Sequence, residues 1–187
     1  MSRHYFIGLQ VPRELGILAE EYRKAYNLYD HYKVLPHHND LHITLLFLGG
    51  VQDSELPIVI RRLQEETLHI SFFTLHVNGL SYFGSHVEPR VVYLSLANNQ
   101  ALNTLQQTIH ESISPLLSLS ASYRFVPHIT IAKKRKTHEK IDIHKQTIKA
   151  INVLVDSFAL FTIYPNQSPK YEAIQTFQLQ GNNNSAK

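Results

Sequence analysis

The triplet His-Ile-Thr occurs twice in this chain, as His42–Thr44 within LHITLLFLGG and as His128–Thr130 within PHITIAKKRK. Imidazole has an unperturbed pKa of about 6.5, so it takes up or releases a proton near neutrality. A threonine hydroxyl donates hydrogen bonds to oxygens on which charge accumulates. Two imidazoles and two hydroxyls around one cleft would suffice to hydrolyse a phosphodiester. A neutral ring takes a proton from water, a charged ring gives one to the departing oxygen, and the threonines hold the non-bridging oxygens. One His-x-Thr in a strand is more often packing than chemistry, and it is the matched pair that points to a site. Because the triplets are alike, the residues alone leave open which histidine is the acid.

Such chemistry needs elements that hold the four side chains on one surface. Side chains alternate across a strand, so His42 and Thr44 share a face while Leu41, Ile43 and Leu45 share the other. His128 and Thr130 stand in the same relation to Ile129 and Ile131. Around these strands, Tyr5, Ile7, Leu9 and Val11 alternate as a strand stopped by Pro12. The spacing of Leu15, Leu18, Tyr22 and Ala25 predicts a helix from Pro12 to about Tyr29. HYKVLPHHND reads as a polar loop. Asp53 or Ser54 is placed to cap a helix carrying Leu56, Ile60 and Leu63.

FFTLHVNGLSYFG and RVVYLSL read as strands, and a helix follows from about Asn99 through Leu102, Leu105, Ile109 and Ile113. Residues from Lys133 to Lys149 are basic and without clear pattern. VLVDSFALFTIYP and YEAIQTFQLQ read as a strand pair with a turn at Asn166–Pro169, and the tail from Gly181 to Lys187 as disordered. The two histidines lie 86 residues apart (128 − 42). The order of elements around them suggests a loose internal duplication.

Composition narrows the class. The chain has 187 residues, 43% of them hydrophobic and 18% charged, which is ordinary for a soluble globular protein. It is long enough to form a core without a disulfide or metal staple. Absence of cysteine excludes disulfides, thiolate nucleophiles and cysteine-ligated metals. The N-terminal apolar run is too short for a signal peptide, and no stretch approaches the ~20 apolar residues that span a bilayer. The expected location is therefore the cytoplasm. A net charge of +3 is a mild bias toward anionic partners.

Metal ligation is the competing use of histidine. Neither triplet carries an Asp, Glu or second His on its strand face, and His37 and His38 precede His42 in a loop. The run Lys133–Lys136 follows the second triplet directly. With Arg124, four residues before His128, it could form a basic rim that draws in a polyanion.

LHITLLFLGG and FVPHITIAKK resemble the paired HXTX motifs of the 2H phosphoesterase superfamily, most closely its RNA 2′,3′-cyclic phosphodiesterase (2′-5′ RNA ligase-like) family. RHYFIGLQVP, Leu46–Gly49, FGSHVEPRVVYLSL and the closing SFALFTIYPNQSPKYEAIQTFQL agree, so the resemblance spans nearly the whole chain. It implies an α+β fold of two pseudo-symmetric lobes, each an antiparallel sheet with outer helices, facing each other across a central cleft. These would form one bilobal domain over residues 1–180. It implies His42 as proton donor, His128 as proton acceptor, and Thr44 and Thr130 as phosphate ligands, with no metal or other cofactor. Substrates would be RNA ends or small cyclic nucleotides bound by a monomer. The basic residue that follows the second motif in the family is represented by Lys133, Lys134 or Arg135, and Lys133 with Arg124 is the expected substrate-binding pair. The alternatives are a phosphodiesterase or 2′-5′ ligase acting on other small nucleotides or RNA halves, and a non-catalytic RNA-binding module, against the last of which stand the four intact motif side chains.

Overall fold

Alternation along β1 (Arg3–Gln10) sends Tyr5, Ile7 and Leu9 into the main core, as the sequence predicts. The opposite face is buried too: Phe6 packs with Ala159 and Phe161 in a second, smaller cluster. β1 is therefore covered on both sides, and its second apolar layer lies beside the first triplet. The chain, described over residues 3–120 and 124–181 in a computed structural model, is α+β and entirely antiparallel in its named strand pairs. The expectation for the tail beyond Gly181 falls outside the described residues.

The helix after Pro12 is α1 (Arg13–Ala25), shorter than expected at its far end. Asn27 adopts a left-handed conformation (φ 49°) that ends it, and a four-residue helix, α2 (Leu28–His31), follows. Part of the expected polar loop is a strand, β2 (Tyr32–Val34), too short for its alternation to be read. β3 (His42–Val51) and β6 (His128–Arg135) carry the two triplets. α3 (Leu56–Thr67) begins one residue later than the expected caps allow. Glu55 occupies the N-cap position, and its carboxylate accepts the Gln52 N–H instead of capping the helix. α4 (Gln100–Ile113) is capped as the sequence predicts, the Asn99 side chain accepting the Leu102 N–H.

β4 (Phe73–Gly84) and β5 (Pro89–Leu96) are the expected strand pair. The expected single strand over VLVDSFALFTIYP is two strands. β7 (Gln146–Val155) pairs with β4, then one residue, Asp156, leads into β8 (Ser157–Ile163) between β1 and β9 (Tyr171–Gln178). β7 is an edge strand with mostly exposed side chains, so it leaves little apolar alternation to read.

The strand order is β7-β4-β5-β6-β3-β1-β8-β9, with β2 paired to the far end of β6. The two triplet strands sit at its centre and belong to different lobes: β6-β5-β4-β7 on one side, β3-β1-β8-β9 on the other. In each lobe a helix connects the triplet strand to its first neighbour, α1 lying between β1 and β3 in the chain and α4 between β5 and β6. That is the two-lobed arrangement the family resemblance implies. β3 meets β6 at the pair Ile43–Ile129. The lobes meet again through the Asp156 junction and a parallel bridge between Ser71 and Gln180.

Candidate active site

Ile43 and Ile129 are 1% and 0% exposed, so the faces opposite the triplets' polar side chains are pinned in the core. Their antiparallel pairing sets His42 across from Thr130 and Thr44 across from His128 when the register is carried one residue each way. All four polar side chains are half-buried and share one face of the central strands. The structure thus brings together the four residues that the duplicated triplet singled out.

Each imidazole is held the same way. His42 Nδ1–H donates to the carbonyl of Asp40 at 2.6 Å, and His128 Nδ1–H donates to the carbonyl of Val126 at 2.8 Å. A carbonyl oxygen only accepts, so this contact places the proton on Nδ1 and leaves Nε2 as the reactive nitrogen in both neutral rings. Beyond that the two differ. Thr44 Oγ1 lies 3.0 Å from His42 Nε2, while His128 Nε2 has no hydrogen-bond partner among the described residues.

Each ring is also flanked by aromatic side chains. Phe6 lies 4.6 Å from His42 between centroids, and Tyr171 meets it edge-on at 5.0 Å. Phe83 meets His128 edge-on at 5.0 Å, and Tyr93 lies 5.3 Å away. Sequence reasoning missed these four rings because they arrive from β1, β9, β4 and β5.

Asp40 is a second residue the sequence did not single out. It is 4% exposed, and its carboxylate accepts the backbone N–H of Lys170 at 2.9 Å and of Tyr171 at 3.1 Å. One residue thereby anchors the His42 ring through its carbonyl and, through its side chain, the turn that delivers Tyr171 to the same ring.

Lys133 reaches the site face through an irregularity. Tyr93 pairs with Thr130 and Val92 with Ala132, so Ile131 is an extra residue on β6 and both Ile131 and Ala132 are buried. The bulge shifts the alternation and turns half-buried Lys133 to the side of His128 and Thr130. The carbonyl of Ile131 accepts Arg23 Nε–H at 3.0 Å, and Arg23 Nη2 donates to Pro36 O at 2.6 Å. Lys134 is exposed in a left-handed conformation (φ 62°), and Arg135 lies over the Tyr32 ring, 5.3 Å from its centroid. Of the three candidate cations after the motif, Lys133 is the one turned toward the histidines. Arg124 is exposed on the segment before β6, with no hydrogen bond or ion pair among the described residues.

Burial pushes the His42 pKa down to about 4, and the nearby charges of Lys133 and His128 act in the same direction against the Asp40 hydrogen bond. Burial also lowers His128, again reinforced by Lys133. Lys133 is itself lowered by burial and by the like charges of Lys134 and Lys170. The cleft is thus a positively biased space in which an anion is favoured and in which both free imidazoles tend to neutrality. Among the described residues no three His, Asp or Glu side chains converge as a metal cage, and no helix is long and apolar enough to cross a membrane.

Comparison with known proteins places the chain in a family and supports its fold. Residues 11–165 match the model of the 2′-5′ RNA ligase superfamily. The chain is 31% identical over 179 residues to the RNA 2′,3′-cyclic phosphodiesterase of Bacillus subtilis, covering 94% of this chain and 96% of that one. It is 26% identical to the protein of the same name from Aquifex aeolicus, over 94% and 97% of the two chains. Escherichia coli LigT, solved with 3′-AMP, superposes with a TM-score of 0.80 at 17% identity over 96% of this chain and 99% of LigT. A Thermus thermophilus crystal structure superposes with the same TM-score at 22% identity, over 96% and 99% of the two chains. The chain belongs to the 2′-5′ RNA ligase superfamily, the 2H phosphoesterases.

Proposed function

We propose that this phosphoesterase opens 2′,3′-cyclic phosphodiester ends of RNA to 2′-phosphomonoesters, using His42 and His128 as the acid–base pair and no metal. The observation that carries the reading is the matched anchoring of the imidazoles. Each Nδ1 proton is committed to a backbone carbonyl, so each Nε2 is free to exchange a proton with substrate. Relatives named RNA 2′,3′-cyclic phosphodiesterase across nearly the whole chain support the choice of substrate.

In this mechanism a water oxygen attacks phosphorus while His128 Nε2, whose lone pair has no partner among the described residues, accepts the water proton. The bond from phosphorus to the ribose 3′ oxygen breaks, and protonated His42 delivers its Nε2 proton to that oxygen. The products are a 3′ hydroxyl and a 2′ phosphomonoester. His42 must be charged to act so, against the burial that lowers its pKa. A bound phosphodiester supplies the missing negative charge and raises both imidazoles toward protonation. Thr44 and Thr130 hydroxyls donate to the non-bridging oxygens, and Lys133 offsets their charge. Thr44 turns from His42 Nε2 to the phosphate when substrate enters.

The test is incubation with 2′,3′-cyclic nucleotides and with cyclic-ended RNA, separating the 2′- and 3′-monophosphate products by chromatography. A 2′ product, lost in His42→Ala and His128→Ala, is the expected result. A 3′ product, or full turnover in either alanine variant, excludes this mechanism. RNA binding without turnover of any cyclic end would make the protein a binding module.

A further inference from the structure

We propose that the groove between α1 and the loop from Leu35 to His38 binds the nucleotides on the 5′ side of the cyclic end, so that the preferred substrate is an RNA oligonucleotide and not a cyclic mononucleotide. This rests on the reaction proposed above and specifies its substrate.

A ribose whose 2′ and 3′ oxygens are both tied to the cyclic phosphate can continue only through its 5′ oxygen. An RNA end held at the histidines therefore needs one path out of the cleft, and two adjoining cavities begin beside Asp40 and Tyr171, which contact the His42 ring. A cavity of about 120 Å³ is walled by Asp40, Lys170 and Tyr171, the residues that support His42, together with Lys33. It shares Leu35, Pro36, His37 and Ser168 with a larger cavity of about 630 Å³ along α1. The larger volume is in the range, about 300–1,000 Å³, of cavities that hold small-molecule ligands.

Its chemistry suits single-stranded RNA. Lys33 and Lys170 line the connecting part, and Arg13 and Lys24 line the larger one. Of its two acidic residues, Glu20 is already engaged, accepting the Tyr29 hydroxyl at 2.6 Å and pairing with Lys24 and Arg23, while Glu21 is exposed. The rings of His37 and His38, 3.9 Å apart and tilted by 37°, form part of the wall, and the π-face of either can stack on a base.

The groove is also preformed. Buried Arg23 bridges the bulge carbonyl of Ile131 and the carbonyl of Pro36, fixing the loop to the triplet strand β6. Gly16 lets the loop approach α1, since a Cβ there would meet His38 Cβ at 3.0 Å. A glycine inside a helix costs about 1 kcal/mol relative to alanine, and the close approach of His38 accounts for it.

The experiment compares kcat/KM for uridine 2′,3′-cyclic monophosphate with that for uridine oligonucleotides of two, three and six residues ending in the cyclic phosphate. It uses the wild type, the Arg13→Ala/Lys33→Ala double variant and His37→Ala, all outside the catalytic set. Wild-type kcat/KM is expected to rise about tenfold or more from the mononucleotide to the trinucleotide. The double variant should lose about tenfold on the hexanucleotide and stay within about twofold on the mononucleotide. Its log–log salt slope should fall by about 1.4, some 0.7 for each phosphate left without its cation. His37→Ala should lose several-fold on the oligonucleotides alone. Length-independent kcat/KM, or equal losses on both substrates, overturns the proposal. Binding of a labelled cyclic-ended hexanucleotide to His128→Ala, with and without the Arg13 and Lys33 substitutions, decides the groove independently of turnover. If the wild type turns over no cyclic end, the reaction proposed above fails. Hexanucleotide affinity indifferent to those substitutions overturns the groove.

Discussion

Ile43 and Ile129 face each other across the two central strands and are the residues through which β3 pairs with β6. Both are buried, and each sits between the histidine and the threonine of its triplet. A core contact thus sets the relative position of the polar groups on the other face. Ile43→Ala or Ile129→Ala should cost about 2–5 kcal/mol, the usual loss for a fully buried isoleucine. Thermal unfolding should fall by about 5–15 °C, and kcat/KM should drop in the folded variant because the triplets lose their common frame. Ile43→Val should cost only about 0.5–1.5 kcal/mol and leave kcat/KM within a few-fold. Equal activity in the alanine and valine variants would show that the pair does not hold the site.

Asp40 offers a second test of positioning. Its carboxylate collects the N–H groups of Lys170 and Tyr171 while its carbonyl holds His42. Asp40→Asn keeps an oxygen that both N–H groups reach but removes the charge and the second oxygen that Lys170 N–H also contacts, weakening these charge-assisted bonds by about 1 kcal/mol. kcat is expected to fall about tenfold as Tyr171 leaves the His42 ring, with a smaller change in KM. Since the carbonyl of residue 40 is retained, the His42 tautomer should persist, which imidazole nitrogen chemical shifts would report. A variant that unfolds at the wild-type temperature with unchanged kcat would remove Asp40 from the supporting frame.

Stability should depend on pH through the same ring. His42 has a folded-state pKa near 4 against about 6.5 unfolded, so between these values the unfolded chain binds more protons than the folded one. Stability therefore rises with pH from about 4 to 6.5 and is lost as pH falls through that window. His128, also lowered, contributes with the same sign. Replacing His42 by Gln should flatten the thermal-unfolding temperature over pH 4–6.5 relative to the wild type. A slope unchanged by that substitution would assign the acid sensitivity elsewhere.

How far the sequence could be read follows from where each side chain gets its neighbours. The triplet strands were legible because His42, Thr44, Ile43 and Leu45 alternate within one short segment. α4 was legible because Asn99 and four apolar residues mark its start and its buried face. The aromatic frame was not, because Phe6, Tyr93, Phe83 and Tyr171 converge only once four strands have paired. Lys133 could be named as a candidate, but the bulge at Ile131 that turns it to the cleft is a property of pairing with β5. The division of VLVDSFALFTIYP escaped for a similar reason, since Asp156 looks like one polar residue in a strand until its flanks pair in different lobes.

Metal dependence follows from the donor set. The chain contains no cysteine, and among the described residues no three His, Asp or Glu side chains converge. Turnover should survive dialysis against EDTA and gain nothing from added zinc or manganese. Loss of activity on chelation, restored by either ion, would displace the two-imidazole mechanism.

The last prediction concerns the rate profile, because the mechanism needs two like groups in opposite protonation states. A neutral base and a charged acid give a bell in the pH dependence of kcat/KM, with limbs that belong to the free protein. Both imidazoles are lowered by burial, so the bell should be centred below pH 6.5. The limbs describe the pair jointly, since each ring feels the other's charge and that of Lys133. Lys133→Ala removes a cation that lowers both histidines, so both limbs should move to higher pH together while KM rises for want of a phosphate partner. Lys133→Arg keeps the charge and should leave the limbs nearly in place. Thr44→Val and Thr130→Val should slow turnover without erasing either limb, because the hydroxyls do not titrate in this range. Each positioned proton transfer contributes about 10²–10⁴-fold, so His128→Ala should lose that much along with the acidic limb. His42→Ala should lose the basic limb, and less of the rate on a nitrophenyl ester, whose leaving group departs without a proton. A bell that stays fixed in Lys133→Ala would mean that Lys133 does not set the histidines' charge. A flat profile in the wild type from pH 4 to 8 would rule out the histidine pair.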